Sequence, residues 1–128
     1  MAAIEITPKP AVGRQLIESY GGGGFRVAGL RHSGSVVIFP RETVAWPVAF
    51  PADISLASLQ PVVQRADRVR IMIIGCGRSF APRPLDLHSE LRTEGINLEW
   101  MDTGAACRTY NVLLLDDREV AAALIAVD

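Results

Sequence analysis

The sequence predicts one α/β domain over residues 1–128, with a β-rich first part followed by a partly parallel sheet and helices. Three observations predict this class. Up to about Phe50, short β-like runs are punctuated by Gly and Pro, whereas from Ser55 onward helical patterns alternate with apolar strand-like runs. The composition, 49% hydrophobic and 21% charged residues in 128, is that of a compact globular chain with a single core.

The first part contains four β-like runs, "RQLIESY", "FRVAGLR", "GSVVIFP" and "TVAWPVAF". The short polar connection "RHSG" predicts a hairpin that pairs "FRVAGL" with "GSVVIF". Pro40, Pro47 and Pro51 indicate strand ends or sheet edges, because proline cannot donate a hydrogen bond to a sheet ladder.

Four consecutive glycines, Gly21 to Gly24, lie between the first two runs. Such a stretch either cradles a phosphate or bends the backbone where no side chain fits. A phosphate-binding loop of the Walker type needs a lysine and a Ser or Thr after its glycines, and here Phe25 and Arg26 follow. The sequence therefore favours a turn, or a close approach to another strand.

In the second part, "SLASLQPVVQRA" has the apolar spacing of a helix, with Ser55 as its N-cap and with Pro61 delaying or kinking it. "RVRIMIIG" is typical of a strand that is covered on both faces. "PLDLHSELRTEG" predicts a helix that buries Leu87 and Leu91 and stops at Gly95. "INLEWMD" predicts a strand, "TGAACRTYNVLLLDD" a helix and "REVAAALIAV" a last strand. The residues of that helix expected to point inward are Ala106, Tyr110, Leu113 and Leu114.

Two strand-to-helix turns, "IIGCGRS" and "DTGAACRTYN", follow neighbouring strands of the predicted sheet. The first is not a dinucleotide fingerprint, because Phe80 stands where the third glycine belongs. Helix N-termini at the carboxyl edge of a parallel sheet favour anions, which predicts a shallow ligand or anion crevice. The alternative interpretation is that these residues form ordinary turns and that the two arginines are simply exposed to solvent. The crevice residues are Gly75, Gly77, Arg78, Ser79, Thr103, Cys107 and Arg108.

Cys107, near a helix start, is a candidate nucleophile, since such a position can lower a thiol pKa, whereas Ser79 lacks the G-x-S-x-G elbow of a serine nucleophile. The only bases available to Cys107 are His32 and His88, and nothing in the spacing brings either one to it. Packing beside neighbouring alanines is the favoured interpretation. We therefore expect no catalytic residues, no metal site, no cofactor and no enzymatic activity.

Charge and hydropathy narrow the classes of partner. The net charge of −1 does not favour nucleic acid, and no apolar run approaches the ~20 residues that span a bilayer. Cys76 and Cys107 form no CxxC motif, so neither a disulfide framework nor a zinc site is expected. The start "MAAIEITPKP" has neither a signal peptide nor an Arg-rich leader pattern, which predicts a cytoplasmic protein.

As an ordered set, "SYGGGGFRVAGLRHSGSVVIFP", "IIGCGRS" and "GINLEWMDTGAACRTYNVLLLDDREVAAALI" resemble one family across nearly the whole chain. It is the small conserved-hypothetical family that includes mitochondrial complex I assembly factor 3 and an adipogenesis-associated protein. The matching segments are residues 20–26, 75–77 and 106–111. The resemblance implies a three-layer α/β fold with a β-rich start and a mixed central sheet, and no established catalytic residue.

The resemblance also implies a function, that of a bacterial accessory protein acting through protein contacts. The partners it implies belong to the assembly of a membrane respiratory complex, NADH:quinone oxidoreductase, with any membrane association made through them. Trp46, Phe50 and Phe80 are the candidate anchors, although Trp46 and Trp100 fit a core better. The alternative function is a small-molecule or anion-binding domain at the crevice of residues 75–79 and 103–108.

Overall fold

A computed structural model describes residues 12–128. Its eight strands are β1 (Ile17–Gly21), β2 (Gly24–Val27), β3 (Leu30–Ser33), β4 (Val36–Phe39), β5 (Glu42–Ala45), β6 (Ile71–Gly75), β7 (Asn97–Met101) and β8 (Val120–Leu124). Its α-helices are α1 (Gln60–Val63), α2 (Leu87–Thr93) and α3 (Thr103–Leu115). Single 3₁₀ turns span Pro51–Asp53, Ala57–Leu59 and Ala66–Arg68.

A five-stranded sheet with the order β5-β4-β8-β6-β7 forms the centre of the molecule. Strand β6 is parallel to both of its neighbours, β7 and β8. Strand β4 is antiparallel to β8 on one side and to β5 on the other. The predicted mixed, partly parallel sheet is therefore confirmed.

Both faces of this sheet are covered, because side chains along a strand alternate between its faces. Met72 and Ile74 of β6 pack on one face with the side chains of α1 and α2, including Val62 and Leu91. Ile73 packs on the other face, in a cluster that contains residues of α3 and of β1 and β2. The three layers are thus α1 with α2, the five-stranded sheet, and α3 with a small second sheet, as the resemblance implied.

The small sheet has the order β1-β2-β3 and is antiparallel throughout. Gly22 and Gly23 form the turn between β1 and β2, both at positive φ (+60° and +79°), as a two-residue hairpin turn of type I′ requires. A side chain on Gly24 would collide with the backbone carbonyl oxygen of His32 on β3. The glycine run therefore serves the backbone, as predicted.

The predicted hairpin between "FRVAGL" and "GSVVIF" is wrong. The chain already turns at Ala28 (φ +48°) and Gly29 (φ +83°), so "FRVAGLR" is split between β2 and β3. The run "GSVVIF" contains β4, which joins the central sheet between β5 and β8. The segment "RHSG" therefore contains most of β3 and the start of the connection from the small sheet to the central sheet.

The helix predicted over "SLASLQPVVQRA" is short and broken. A 3₁₀ turn, Ala57–Leu59, precedes the single turn of α1, and Pro61 lies in the first turn of α1. The Ser55 hydroxyl oxygen accepts the N–H of Ser58 at 3.2 Å, but the N-cap of the 3₁₀ turn is Leu56 and not the predicted Ser55. The expected effect of Pro61 is confirmed.

Helices α2 and α3 lie where predicted, with Leu87, Leu91, Ala106, Tyr110 and Leu114 buried and Leu113 packed at the edge of the core.

Candidate functional site

The carboxyl ends of β6 and β7 are adjacent, and the chain leaves them in opposite directions. From β6 it runs to α2 on one face of the sheet, and from β7 it enters α3 on the other face. Open α/β sheets bind ligands at such points, where neighbouring strands send their connections to opposite faces. The sequence prediction placed its crevice at this edge.

Gly75 lies directly beneath the start of α3. A Cβ atom on Gly75 would stand 2.9 Å from the Thr103 Cα and 3.0 Å from the Leu124 Cδ2. Backbone atoms at that distance cannot yield, so only glycine lets α3 begin this close to β6.

Thr103 fills the space between the two turns. Its backbone N–H donates to the Gly77 carbonyl oxygen at 2.8 Å, and its Oγ1 accepts the Gly77 N–H at 3.1 Å. The same hydroxyl donates to the Ile125 carbonyl oxygen at 2.7 Å. Thr103 is fully buried, so these bonds tie the ends of β6 and β8 to α3 and leave no opening between the two turns.

The N-terminus of α3 already has a negatively charged partner. Asp102 is its N-cap, and the Asp102 Oδ1 accepts the Ala105 N–H at 2.9 Å. A carboxylate in this place satisfies the helix dipole and repels a second anion. The electrostatic reason for expecting an anion at this helix start is thereby weakened.

The structure brings part of the predicted crevice together and separates the rest. Gly75, Gly77 and Thr103 are in direct contact. The other four residues line two different clefts, one of which Gly77 also borders. Gly77, Arg78 and Ser79 border a cleft of about 340 Å³, whereas Cys107 and Arg108 border one of about 330 Å³ beside β1 and Asn111.

The wall of the first cleft includes residues that the sequence prediction did not connect with it. Residues 125–128 lie across from Gly77, together with Ala49 and Pro51. The signal for residues 125–128 was available, because they follow β8, a strand parallel to β6 that ends at the same edge. Ala49 and Pro51 carry no such signal, since they follow β5, the outermost strand, which β4 and β8 separate from β6.

Cys107 is buried in the core between α3, the central sheet and the small sheet. Burial raises its thiol pKa to about 12, and the nearby Arg108 charge offsets only part of that effect. The pKa lowering considered from sequence is therefore wrong. His88 belongs to α2, which packs on the opposite face of the sheet, and His32 belongs to β3. Within residues 12–128, no hydrogen bond connects either histidine with the thiol.

Two exposed aromatic residues belong to the segments that line the cleft bordered by Gly77. Phe80 lines it and is 71% exposed, and Phe50, between the lining residues Ala49 and Pro51, is 66% exposed. We call Phe50 and Phe80 the aromatic rim. Trp46 is buried and Trp100 packs against the core, so the core interpretation of both tryptophans is confirmed.

Residues 12–128 contain neither a membrane-spanning helix nor a cluster of metal-ligating side chains. No helix in this range is long and apolar enough to cross a membrane, the longest being α3 with 13 residues. No group of three or more His, Cys, Asp or Glu side chains in the same range is arranged to hold a metal ion.

Comparison with known proteins identifies the family. Residues 17–125 match the family described as "Protein of unknown function (DUF498/DUF598)". An uncharacterized protein of Rhodobacter capsulatus is 38% identical over 109 residues, covering 85% of this chain and 82% of that protein. The Xenopus tropicalis protein named NADH dehydrogenase (ubiquinone) 1 alpha subcomplex assembly factor 3 is 32% identical, again over 85% of this chain but over only 60% of its own length.

A solved structure shows the same architecture. A crystal structure described as an outer membrane protein from Bartonella henselae superposes with a TM-score of 0.84 at 37% identity, covering 91% of this chain and 98% of that one. Sequence and fold agree over the region that holds the clefts and the aromatic rim. The chain belongs to the DUF498/DUF598 family.

Proposed function

We propose that this protein is an accessory protein that acts through protein contacts in the assembly of a membrane respiratory complex, NADH:quinone oxidoreductase. The observation that carries the proposal is the similarity to the relative named as an assembly factor of that complex, 32% identical over 85% of this chain. We place its action in the cytoplasm, with any attachment to the membrane made through the partner.

The chemistry of the site supports a binding role over a catalytic one. The thiol of Cys107, with a pKa of about 12, is protonated at neutral pH and shielded from solvent. A protonated, buried thiol is a poor nucleophile. Thr103 fills the space between the turns that follow β6 and β7, and the cleft bordered by Gly77 at the same edge contains, among residues 12–128, no candidate nucleophile that a base activates.

The aromatic rim supplies the contact surface. Phe50 and Phe80 expose most of their side chains, Phe80 as a lining residue of a cleft of about 340 Å³ and Phe50 between its lining residues Ala49 and Pro51. Aromatic side chains dominate the energetics of protein interfaces, because they bury a large area with few rotatable bonds. Arg78 lines the same cleft and provides a polar neighbour for the two rings. We propose that an apolar surface of the partner packs against Phe50 and Phe80.

The test is deletion of the gene in the native organism, followed by assay of membrane NADH:quinone activity and of the assembled complex on native gels. Deletion should lower both, and the wild-type gene should restore them. The double variant F50S/F80S should fail to restore them. The matched control L30S/V112S removes two other apolar side chains, 67% and 66% exposed, and should restore them fully.

Normal complex levels in the deletion strain would refute the assembly role. Full rescue by F50S/F80S would leave that role in place but remove the aromatic rim from it.

A second candidate function is anion or small-molecule binding at the predicted crevice. The cleft bordered by Gly77, Arg78 and Ser79 favours this half of the crevice over the half with Cys107 and Arg108, because Asp102 caps the helix beside the latter. Thermal-shift titration with phosphate tests it. R78Q should abolish the shift and R108Q should retain it, whereas an equal response of both variants would contradict the assignment.

A further inference from the structure

A larger cleft, of about 530 Å³, lies at the other end of the central sheet. It is bordered by the end of β4, the turn into β5 and the segment that leads into β6. We call it the arginine cleft. Its lining residues are three arginines, Arg41, Arg65 and Arg68, with Glu42 and the apolar Phe39, Pro40 and Val69.

Arg65 is held in place before any ligand arrives. Its Nε donates to the Glu42 Oε1 at 2.6 Å, and its Nη1 donates to the Pro61 carbonyl oxygen at 2.7 Å. The guanidinium carbon also stands 4.6 Å from the centroid of the Phe39 ring, in cation–π contact. A guanidinium fixed on three sides loses little side-chain entropy when it binds an anion.

The charge of the cleft is positive even though the chain as a whole carries −1. Three guanidinium groups and one carboxylate line it, which gives a local charge of +2. Glu42 balances Arg65, and the exposed Arg41 and Arg68 stand at the border with flexible side chains. Local positive charge in a concave site concentrates anions.

The cleft also has an apolar wall. Phe39 and Val69 are almost completely buried, so the half-buried Pro40 and the hydrocarbon stems of the arginines supply the accessible apolar surface. Sites for small molecules combine such apolar surface with a few convergent polar groups, in volumes of about 300–1,000 Å³. The arginine cleft has this combination, and its volume lies within that range.

We propose that the arginine cleft binds a phosphate monoester that carries an apolar or aromatic group. At neutral pH such a group carries a charge close to −2, which matches the +2 of the cleft. Guanidinium forks bind phosphate oxygens in pairs, and the apolar group lies on Pro40 and the hydrocarbon stems of the arginines. This site is separate from the proposed assembly function and from the aromatic rim.

The experiment is a titration of the ¹⁵N-labelled protein with phenyl phosphate, followed by ¹H–¹⁵N correlation spectra. Saturable shifts are expected at residues around the cleft, including Arg41, Arg68 and Val69. Inorganic phosphate should bind at least several-fold more weakly and phenol should not bind, because each lacks one half of the ligand. Co-sedimentation with phosphatidic acid vesicles, compared with neutral vesicles, distinguishes a lipid phosphate from a soluble one.

The variant R41Q/R68Q should weaken phenyl phosphate binding by about tenfold or more, since it removes two charged donors. The control R83Q/R92Q removes two exposed arginines elsewhere and should change the affinity by less than about twofold. All four positions are exposed, so both proteins should fold, which unchanged melting temperatures would verify.

Three results would overturn the proposal: no saturable binding up to about 10 mM phenyl phosphate, equal affinity of the two double variants, or shifts confined to residues 75–79. Loss of complex I assembly in the gene deletion bears on the assembly function alone, so the two proposals fail independently.

Discussion

Thr103 joins three segments of the chain through one hydroxyl group. The side chain is fully buried, donates to the Ile125 carbonyl oxygen and accepts from the Gly77 N–H. Both backbone partners are oriented by the ends of β8 and β6, so the hydroxyl satisfies polar groups that no water reaches. Removing it leaves a donor and an acceptor without partners in the interior, which costs more than the hydrogen bonds contribute.

We therefore expect Thr103→Val, which keeps the shape and removes the hydroxyl, to lower the free energy of unfolding by about 2–4 kcal/mol. Thr103→Ser keeps the hydroxyl and loses a methyl group, and should cost about 1 kcal/mol. Urea denaturation of the three proteins measures the difference. A valine variant as stable as the serine variant would show that the two hydrogen bonds do not hold the turns together.

At the scale of elements, Asn111 attaches the small sheet to α3. Its Oδ1 accepts the Ile17 N–H at 2.9 Å and its Nδ2 donates to the Ile17 carbonyl oxygen at 2.8 Å. The side-chain amide thus pairs with β1 as a neighbouring strand would. Phe25 and Val27 of β2 follow into the core above α3.

Asn111→Ala should loosen the small sheet before it affects the central one. We expect a loss of about 1–3 kcal/mol, because one buried donor and one acceptor lose their partners. Amide hydrogen exchange should accelerate more in β1 and β2 than in β6 and β8. The exposed Asn97 supplies the control, and Asn97→Ala should leave both rates unchanged. Equal acceleration in both sheets would mean that they unfold as one unit.

The sequence predicts the second half of the chain better than the first. Strand β6, helices α2 and α3 and strand β8 have apolar patterns long enough to identify their type and buried face. In the first half, Ala28 adopts a positive φ that alanine rarely takes, so Gly29 alone marks the boundary between β2 and β3. The pairing error follows from Ala28.

The candidate site, like the fold, could be predicted from the sequence only in part. Parallel strands end at one edge, so the sequence could bring Gly75, Gly77 and Thr103 together, and the structure does so. It could not show that the Thr103 hydroxyl fills the space between the turns, because that depends on a distance between segments 26 residues apart. The sequence could not predict the arginine cleft for the same reason, since Arg41 and Arg65 belong to separate elements.

For the whole molecule, the two candidate surfaces occupy opposite ends of the central sheet. The aromatic rim lies where β6 and β8 end, and the arginine cleft lies where β4 ends, beside the beginning of β8. The family match over residues 17–125 includes both surfaces. A ligand in one and a protein partner at the other do not compete for space, so the two proposals are sterically compatible.

Global stability should fall at alkaline pH, because the core holds two acidic groups in their neutral forms. Burial raises the pKa of Cys107 from 9.0 to about 12, and burial also raises the pKa of Tyr110. Above about pH 9 the unfolded chain loses the thiol proton while the folded chain keeps it, so ionisation favours unfolding. The stabilisation from the neutral thiol is complete below that pH and is lost as the pH rises towards 12.

Urea denaturation from about pH 8 to about pH 11, in the presence of a reductant, should show that the free energy of unfolding falls as the pH rises. The thiol should account for up to about 1.4 kcal/mol of this fall per pH unit. Cys107→Ala leaves a small cavity and should be less stable at neutral pH, but its decline should be shallower. The slope therefore separates the loss of packing from the loss of ionisation. If the free energy of unfolding declines in parallel in the two proteins, Cys107 titrates alike in the folded and unfolded chains. Burial between α3 and the two sheets would then not hold the thiol neutral.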